Sequence, residues 1–379
     1  MDPRIGGPCM GIRYSIPAMT QLGVQNEVVS YDEPNAAYLA NDPFTVHALG
    51  GKKWPGAYNG FLYSWLLRNL HKYDVVIVHG IWLYHSFAVY RAFRKLKSKK
   101  SEFSTKLLIM PHGMLDPWFQ RATTRRLKAL RNEIYWRVFE KNVINSADAI
   151  LFTCEQELEL ARKTFQGYQP KKEINVGYGI KEPPTFADHF SAPIDTDYIL
   201  YLSRIHPKKG VDLLIVSYIE LVNDGIKLPD LVIAGPINSA YGKEMIKLAQ
   251  ACPRIHFTGI LLAEKKWGAL YNAKAFILPS HQENFGISVV EALACGKPIL
   301  ITDQVNIWSD IFNKNDFSGS PGFVQKDNLV GVKNLLKSFS NLSSTDLEFM
   351  GMQANRVFKD KFSVNSVVKN TIQKIKELD

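Results

Sequence analysis

The fold is decided by one stretch, Leu278-Pro-Ser-His-Gln-Glu-Asn-Phe-Gly-Ile-Ser-Val-Val-Glu-Ala-Leu-Ala-Cys-Gly-Lys-Pro298. A short apolar run leads into it and predicts a strand. A polar loop follows, and the apolar spacing from 287 to 295 then predicts a helix that ends at Gly296, a residue type common just after helices. The loop carries Glu283 and the helix carries Glu291, with seven residues between them. The two carboxylates therefore lie on either side of a predicted helix N-terminus.

A helix N-terminus flanked by two carboxylates suits a particular kind of ligand. The free N–H groups of residues 285–288 would carry a partial positive charge that favours phosphate. The carboxylates only accept hydrogen bonds, so they suit hydroxyl groups on either side of that phosphate. A nucleotide-sugar, with phosphate in the middle and a sugar at each end, fits this arrangement. The alternative is that Glu283 is a solvated loop residue and Glu291 an exposed helix residue.

The same stretch resembles the Glu-x7-Glu signature of the retaining glycosyltransferases of group 1, or family 4. Residues 279–298 match, nearly position by position, the phrase of that family, Pro-Ser-x-x-Glu-x-Phe-Gly-x-x-x-x-Glu-Ala-x-Ala-x-Gly-x-Pro. The resemblance implies that Glu283 contacts hydroxyls of the donor sugar and Glu291 the ribose. It also implies a wider donor-binding set, with amides from the loop and helix start and residues beside the base: Asn284, Phe285, Gly286, Ile287, Gly259 and Ile260.

A cationic loop, Ser203-Arg-Ile-His-Pro-Lys-Lys-Gly210, follows a second predicted strand. Arg204 offers a planar fork to phosphate oxygens, and Lys209 offers a mobile point charge. In glycosyl transfer the diphosphate leaves, so fixed cations there lower the barrier without a metal. The loop resembles the family phrase Ser/Gly-Arg-x-x-x-x-Lys-Gly, whose Arg and Lys bind the diphosphate. The alternative is a pair of solvated surface cations.

Two histidines follow predicted buried strands in the first half of the chain. His79-Gly ends one strand, and His112-Gly follows the next. Ligands bind at the carboxyl ends of strands in parallel sheets, although a lone histidine is as often structural. The phrase around His112 resembles the family's Pro-His-Gly, whose histidine contacts the donor sugar. We therefore expect His112, Glu283, Arg204 and Lys209 to be the catalytic residues.

The chain opens on a glycine loop, Met1-Asp-Pro-Arg-Ile-Gly-Gly-Pro8, before a predicted helix from about 10 to 22. Gly6 and Gly7 would let backbone approach a ligand closely, and we include both in the donor-binding set. The alternative is a simple terminal turn. In the family an apolar strand usually precedes such a loop, so the family's first strand is expected to be missing.

Composition predicts a two-domain protein of the cytoplasm. The chain has 379 residues, 46% of them hydrophobic, which is enough for two cores. It shows no apolar run of about 18 residues, so we expect neither a transmembrane helix nor a signal peptide. The four cysteines are scattered, which favours free thiols in a reducing compartment, and the nine histidines show no metal-ligand spacing.

The net charge is +10, and its basic residues concentrate in the first half, where aromatic residues are interleaved with those from 121 to 137. Such a surface could meet anionic lipid or a lipid diphosphate. It could also meet nucleic acid, or be an ordinary solvated helix face. We favour a lipid-linked acceptor at the inner face of the plasma membrane, with peripheral membrane contact and no nucleic-acid partner.

The alternation of predicted strands and helices indicates an α/β protein with parallel sheets. The resemblance implies the GT-B fold, in which two Rossmann-like domains face a central cleft and the C-terminal helix crosses back to the first domain. We place the acceptor-side domain at 1–180, a linker at 181–197, the nucleotide-sugar domain at 198–358 and the returning helix at 359–379. Asp195-Thr-Asp197 is an Asp-x-Asp that could hold a metal, but it precedes a strand and is predicted to be a turn.

The predicted function is a retaining hexosyltransferase that needs no cofactor and no metal. The donor is a UDP- or GDP-sugar, and the acceptor is a saccharide or a lipid-linked glycan in surface polysaccharide biosynthesis. The resemblance implies front-face displacement, in which the leaving phosphate helps to deprotonate the acceptor hydroxyl. Two rivals remain: another GT-B enzyme, such as a nucleotide-sugar epimerase or a phosphorylase, and a non-catalytic pseudo-transferase.

Overall fold

The computed structural model describes residues 1–2, 7–51, 56–99, 102–122, 125–185, 189–312 and 319–378. The chain divides into two compact units. The first consists of Met1–Gly179 with Val367–Asp379, and the second of Ile180–Ser366. Each unit is an α/β structure whose strands pair in parallel. The predicted Gly6 lies outside the described residues.

The first unit contains two parallel sheets. Its strands are β1 Glu27–Ser30, β2 Thr45–Ala48, β3 Val75–His79, β4 Lys106–Met110, β5 Ala149–Phe152 and β6 Glu173–Asn175. Its helices are α1 Gly7–Gln21, α2 Gly60–Asn69, α3 Tyr84–Lys99, α4 Trp118–Arg121, α5 Arg126–Tyr135, α6 Lys141–Ser146 and α7 Glu155–Ala161. The larger sheet has the order β3-β4-β5-β6, and β1 pairs with β2. Strand β5 is buried along its whole length, as its unbroken apolar sequence predicts.

The second unit is built on one six-stranded parallel sheet with the order β12-β11-β10-β7-β8-β9. Its strands are β7 Tyr198–Leu202, β8 Asp230–Ala234, β9 Ile255–Gly259, β10 Ala275–Leu278, β11 Ile299–Thr302 and β12 Gly322–Gln325. Its helices are α8 Val211–Asn223, α9 Ala240–Ala249, α10 Ala263–Asn272, α11 Ile287–Ala294, α12 Trp308–Ile311, α13 Leu329–Ser340 and α14 Ser344–Val357. Because β7 and β10 are neighbours, the loops at their carboxyl ends lie side by side.

The helix predicted from the central stretch is confirmed. α11 begins at Ile287 and ends at Ala294, and Gly296 beyond it has a φ of +65°. The N–H of Gly296 donates to the carbonyl of Leu293 at 3.0 Å, and that of Lys297 to Ala292 at 3.0 Å. These bonds satisfy the last helical carbonyls, which is why a glycine is required there.

The last helix, α15 Val364–Lys376, returns to the first unit as predicted. Asn370 donates to the carbonyl of Val176 at 3.1 Å, and Lys374 to that of Asn175 at 2.6 Å.

The segment 181–197 was predicted to be a linker, but it belongs to the second unit. Its Phe190 is buried, with its ring stacked 6.1 Å from that of Tyr271.

Residues 126–146 form three successive helical segments, namely α5, a π-helical turn Trp136–Glu140, and α6. Glu140 in that turn is fully buried. Its Oε1 accepts hydrogen bonds from the N–H of Trp82 at 2.8 Å and the hydroxyl of Ser86 at 2.7 Å. Burial nevertheless raises the pKa of Glu140 to about 7, because the two donors only partly replace the lost solvation.

Glu140→Gln should remove a pH dependence of stability. Because the folded-state pKa is raised above the ordinary 4.5, the carboxyl progressively destabilises the folded chain as pH rises from about 4.5 to about 7. At pH 8 the variant should exceed the wild type in free energy of unfolding by up to about 3 kcal/mol, and the gain should nearly vanish at pH 4. Denaturant titrations at both pH values measure this, with the more exposed Glu133→Gln as control. Parallel pH profiles for wild type and Glu140→Gln would contradict it.

Candidate functional site

The loops after β7 and β10 pack unusually closely. The loop after β7 runs through a 3-10 turn, Pro207–Lys209, to Gly210, which has a φ of +63° and opens α8. A Cβ on Gly210 would overlap the carbonyl oxygen of Pro279, so only glycine allows this approach. The N–H of His281 donates to the carbonyl of Lys208 at 2.9 Å and ties the two loops together. The cationic loop and the Glu283 loop therefore form one site.

Lys209 and Glu283 form an ion pair in this site. The Nζ of Lys209 donates to Oε2 of Glu283, and the two side chains are only 8% and 21% exposed. The backbone of Glu283 is fixed as well, since its N–H donates to Gln304 at 2.9 Å and its carbonyl accepts from Asn306 at 2.9 Å. The ion pair thus lies where the loops after three neighbouring strands, β7, β10 and β11, converge. The sequence predicted both residues but not their pairing.

Gly286 turns the chain from the Glu283 loop into α11. Its φ is +79°, and a Cβ there would lie 3.3 Å from Cγ of Glu283 and 3.2 Å from Cγ2 of Val289. The first intrahelical bond runs from the N–H of Val289 to the carbonyl of Gly286 at 2.9 Å. The N–H groups of Ile287 and Ser288 precede that bond and point out of the helix N-terminus. Amide donors therefore lie next to the Lys209–Glu283 pair.

Two further predicted residues, Asn284 and Phe285, lie in this same loop between Glu283 and Gly286. Phe285 is buried, and its ring meets that of Phe362 edge-on at 5.8 Å. This contact anchors the loop from the side of the protein interior. Phe285 can therefore offer a ligand its backbone but little of its ring.

Glu291 lies one turn inside α11 and is paired with a lysine that the sequence did not predict. Lys266 of α10 donates to Oε1 of Glu291 at 2.7 Å, and its Nζ lies 4.0 Å above the ring of Trp267. Glu291 is mostly buried. No periodicity or motif signals Lys266, because the contact joins residues 25 positions apart.

The remaining predicted residues of this unit lie at the same edge of the sheet. The guanidinium of Arg204 is exposed, while its backbone carbonyl accepts from the hydroxyl of Tyr201 at 3.1 Å. Gly259 ends β9 with a φ of +72°, and its carbonyl accepts from Gly235 at 2.8 Å. Ile260 follows it and is 62% exposed. This edge therefore presents an unburied cation, a glycine turn and an apolar side chain to solvent.

In the first unit the two predicted strand-end histidines meet. Nδ1 of His79 lies 2.9 Å from Nε2 of His112, and the rings are stacked with centroids 5.2 Å apart. His112 has a φ of +53°, a strained conformation for a non-glycine residue that is common at functional sites. Tyr178 meets the His112 ring edge-on at 6.4 Å and donates its hydroxyl to the carbonyl of Gly7. Gly7 and His112 are thus joined through Tyr178.

The histidine pair is neutral at physiological pH. Burial lowers the pKa of His79 to about 4, and the nearby His85 lowers it further. Burial also lowers the pKa of His112 to about 3, with a further contribution from His79. With both rings neutral, one nitrogen donates the shared proton and the other accepts it. His112 can therefore act as a hydrogen-bond partner but not as a cation. In the sequence, His79 was indicated by the phrase His-Gly, which occurs at the ends of two successive predicted strands.

Asp195-Thr-Asp197 lies away from these residues, at the amino end of β7 and so at the opposite edge of the sheet. The carbonyl of Asp197 accepts from the N–H of Asp230 at 2.9 Å, and its carboxylate lies 3.2 Å from Nζ of Lys274. Among the residues that the structure describes, no group of three or more histidines, cysteines or carboxylates is placed to hold a metal ion. Nor is any described helix long and apolar enough to cross a bilayer.

The histidine rings should differ sharply in titration. Ring resonances of His79 and His112 should stay constant between pH 5.5 and 8, because the pKa values of about 4 and 3 lie below that window. His281 should titrate above the ordinary histidine value, because its hydrogen bond to Asp327 at 2.7 Å raises its pKa. Nitrogen-15 NMR of the imidazoles, assigned with single His→Gln variants, measures all three. A midpoint for His112 between pH 6 and 7 would contradict the neutral pair.

Comparison with known proteins identifies the family. The family description "Glycosyl transferases group 1" matches residues 185–331, and "Glycosyl transferase 4-like domain" matches residues 6–179. A probable sucrose-phosphate synthase from Thermosipho melanesiensis is 28% identical over 181 residues, which cover 43% of this chain and 41% of that protein. The serotype-specific mannosyltransferase WbdA of Escherichia coli is 28% identical over 152 residues, covering 37% of this chain and 18% of that protein. The matches thus span less than half the length of these relatives.

Solved structures show the same fold at low sequence identity. HepE of Anabaena, in complex with UDP, matches this chain with a TM-score of 0.70 and 14% sequence identity. The match covers 99% of this chain and 97% of that one. The likeness establishes two Rossmann-like domains of the GT-B type. The chain belongs to the group 1 glycosyltransferases and has their GT-B fold.

Proposed function

We propose that this chain transfers a sugar from a nucleoside diphosphate donor to an acceptor hydroxyl, with retention of anomeric configuration. One observation carries the proposal. The packed loops after β7 and β10 collect Arg204, Lys209, Glu283 and the N-terminus of α11 at one sheet edge, and Glu291 lies one turn inside that helix. That order of charges follows a nucleotide-sugar, with cations and amides at the diphosphate and carboxylates at the sugars.

The diphosphate site accounts for most of the proposed catalysis. Negative charge develops on the leaving diphosphate in the transition state, and preorganised donors there lower the barrier. Arg204 would meet it with a planar fork, Lys209 with an ammonium group, and Ile287 with its N–H. The proposal needs no metal, because the protein's own cations neutralise the charge. The leaving phosphate would then help to deprotonate the acceptor hydroxyl.

The sugars at the two ends of the donor are assigned to the carboxylates. Glu283 would accept hydrogen bonds from donor-sugar hydroxyls and Glu291 from the ribose. Their lysine partners orient both carboxylates before a ligand arrives. Asn284, Phe285 and Gly286 would contribute loop backbone, and Gly259 and Ile260 would flank the base. In the first unit, the neutral His112 would hydrogen-bond the donor sugar, with Gly7 in the same cluster.

The proposed donor and acceptor classes are supported by similarity to known proteins and by the charge of the chain. HepE, a structural neighbour, is known with UDP and with UDP-glucose, which supports a UDP- or GDP-sugar as donor. WbdA, a sequence relative, is a serotype-specific mannosyltransferase, which supports a role in surface polysaccharide. The basic first half supports a lipid-linked acceptor and a position at the inner face of the plasma membrane.

Donor binding should stabilise the chain against heat. A ligand at 100 times its dissociation constant adds about 2.7 kcal/mol to the free energy of unfolding. With EDTA present, one class among UDP-, GDP-, ADP- and dTDP-sugars should raise the Tm of the wild type. Glu291→Gln should lose the shift, because the amide cannot replace a carboxylate that accepts two ribose hydroxyls.

The matched control is Glu264→Gln, which changes an exposed carboxylate at the start of α10 and should keep the full shift. An equal shift for Glu291→Gln would remove the proposed ribose contact. If no nucleotide-sugar shifts the wild type at any concentration, the donor assignment is wrong. Binding without sugar transfer to any acceptor would favour the non-catalytic pseudo-transferase.

A further inference from the structure

Helix α5 and the turn after it expose a row of large apolar side chains. Leu127 is 85% exposed, Leu130 60%, Ile134 56% and Val138 54%. The spacing of Leu127, Leu130 and Ile134 places them on one side of α5, within an arc of about 60°, and Val138 follows in the turn. We call these four residues the apolar stripe. A soluble surface rarely leaves such a contiguous apolar row uncovered, so it indicates a binding partner.

Basic side chains border the apolar stripe on both sides. Residues 121 to 141 include seven lysines and arginines but only two acidic residues. One of the acidic residues, Glu140, is buried in the turn after α5. The other, Glu133, forms an ion pair with Arg137 at 2.8 Å. The exposed basic residues are Arg121, Arg126, Lys128, Arg131, Arg137 and Lys141. The surface is therefore apolar at its centre and positive at its border.

An open cavity of about 590 Å³ lies at the C-terminal end of the apolar stripe. It is lined by Arg137, Lys141, Gln166, Gly167 and Gln169. The absence of a side chain on Gly167 makes room for the Lys141 ammonium, since a Cβ there would lie 2.7 Å from Nζ. Two cations and two amide side chains around an open cavity are suited to a phosphate group.

The chemistry of this surface selects among partners. A second copy of the chain would bring the basic borders of two stripes face to face, which is unfavourable for a symmetric dimer. Nucleic acid would pair with the basic border but would leave the apolar centre without a partner. An anionic bilayer satisfies both parts, since acyl chains and glycerol backbones meet the apolar residues and head groups meet the cations.

We propose that α5 docks this protein on an anionic lipid bilayer, with the apolar stripe inserted at the head-group boundary and a lipid phosphate held by Arg137 and Lys141. The inference rests on the membrane position given in the proposed function and assigns that contact to α5. It concerns the first unit alone, and it is tested without a donor or an acceptor.

The test is flotation of the full-length chain with vesicles of phosphatidylcholine alone or mixed with phosphatidylglycerol. The wild type should bind the anionic vesicles, and binding should weaken as salt is raised. The triple variant Leu127→Gln, Leu130→Gln, Ile134→Gln should need at least about tenfold more lipid for half-binding, because it loses most of the inserted apolar area. Arg137→Gln with Lys141→Gln should weaken binding to anionic vesicles specifically.

The matched control changes three similarly exposed apolar residues of the second unit, Leu262→Gln, Val330→Gln and Met352→Gln, which are 71%, 66% and 64% exposed. It should bind as the wild type does. Melting temperatures verify that each variant is folded. The proposal is overturned if the wild type does not float with anionic vesicles or if the stripe variant floats equally well. It is also overturned if light scattering shows a wild-type dimer that the stripe variant dissolves, since a second copy would then cover the stripe.

Discussion

The candidate site depends on the ion pair between Lys209 and Glu283. A buried ammonium group needs a partner, because an unpaired charge in that environment is strongly unfavourable. Each side chain therefore fixes the other, and together they fix the loops after β7 and β10. The desolvation of two charges offsets much of their attraction, so the contribution of the pair is positional more than stabilising. Gly210 makes the pair possible, since no other residue lets its loop lie against Pro279.

In the proposed mechanism the same pair also responds to the ligand. A diphosphate beside Lys209 would compete with Glu283 for its ammonium group. Glu283 would then be released toward the hydroxyls of the donor sugar while Lys209 neutralised the leaving group. Glu291 and Lys266 would behave in a similar way at the ribose. The helix amides of α11 need no such exchange, because they precede the first intrahelical hydrogen bond.

Much of the second unit follows from the sequence. β7, α8 and β10 occur where unbroken apolar runs and bordering glycines or prolines place them. In the first unit, by contrast, β2 was missed, because Thr45-Val-His-Ala48 is short and lies in a segment rich in proline, glycine and asparagine. In the site, the motifs supply Arg204, Lys209, Glu283 and Glu291 as single residues. The pairing of Lys209 with Glu283, and of Glu291 with Lys266, depends on strand order, which local periodicity does not encode.

The first unit shows the same limit. Periodicity locates β3 and β4, and with them the positions of His79 and His112, but the shared proton between the rings follows only from the pairing of those strands. The exposed face of α5 was likewise visible in sequence only as a group of basic residues with interleaved aromatic residues. Whether its apolar residues point inward or outward is decided by packing. Trp136 takes the interior position, and Leu127 and Ile134 are left outside.

The most direct test of the account is a crystal structure of the chain grown with a nucleoside diphosphate in the presence of EDTA. We expect the diphosphate at the N-terminus of α11, within hydrogen-bond distance of Arg204 or Lys209, and the ribose hydroxyls at Glu291. A nucleotide bound elsewhere, or one that binds only after a divalent metal is added back, would contradict the central claim.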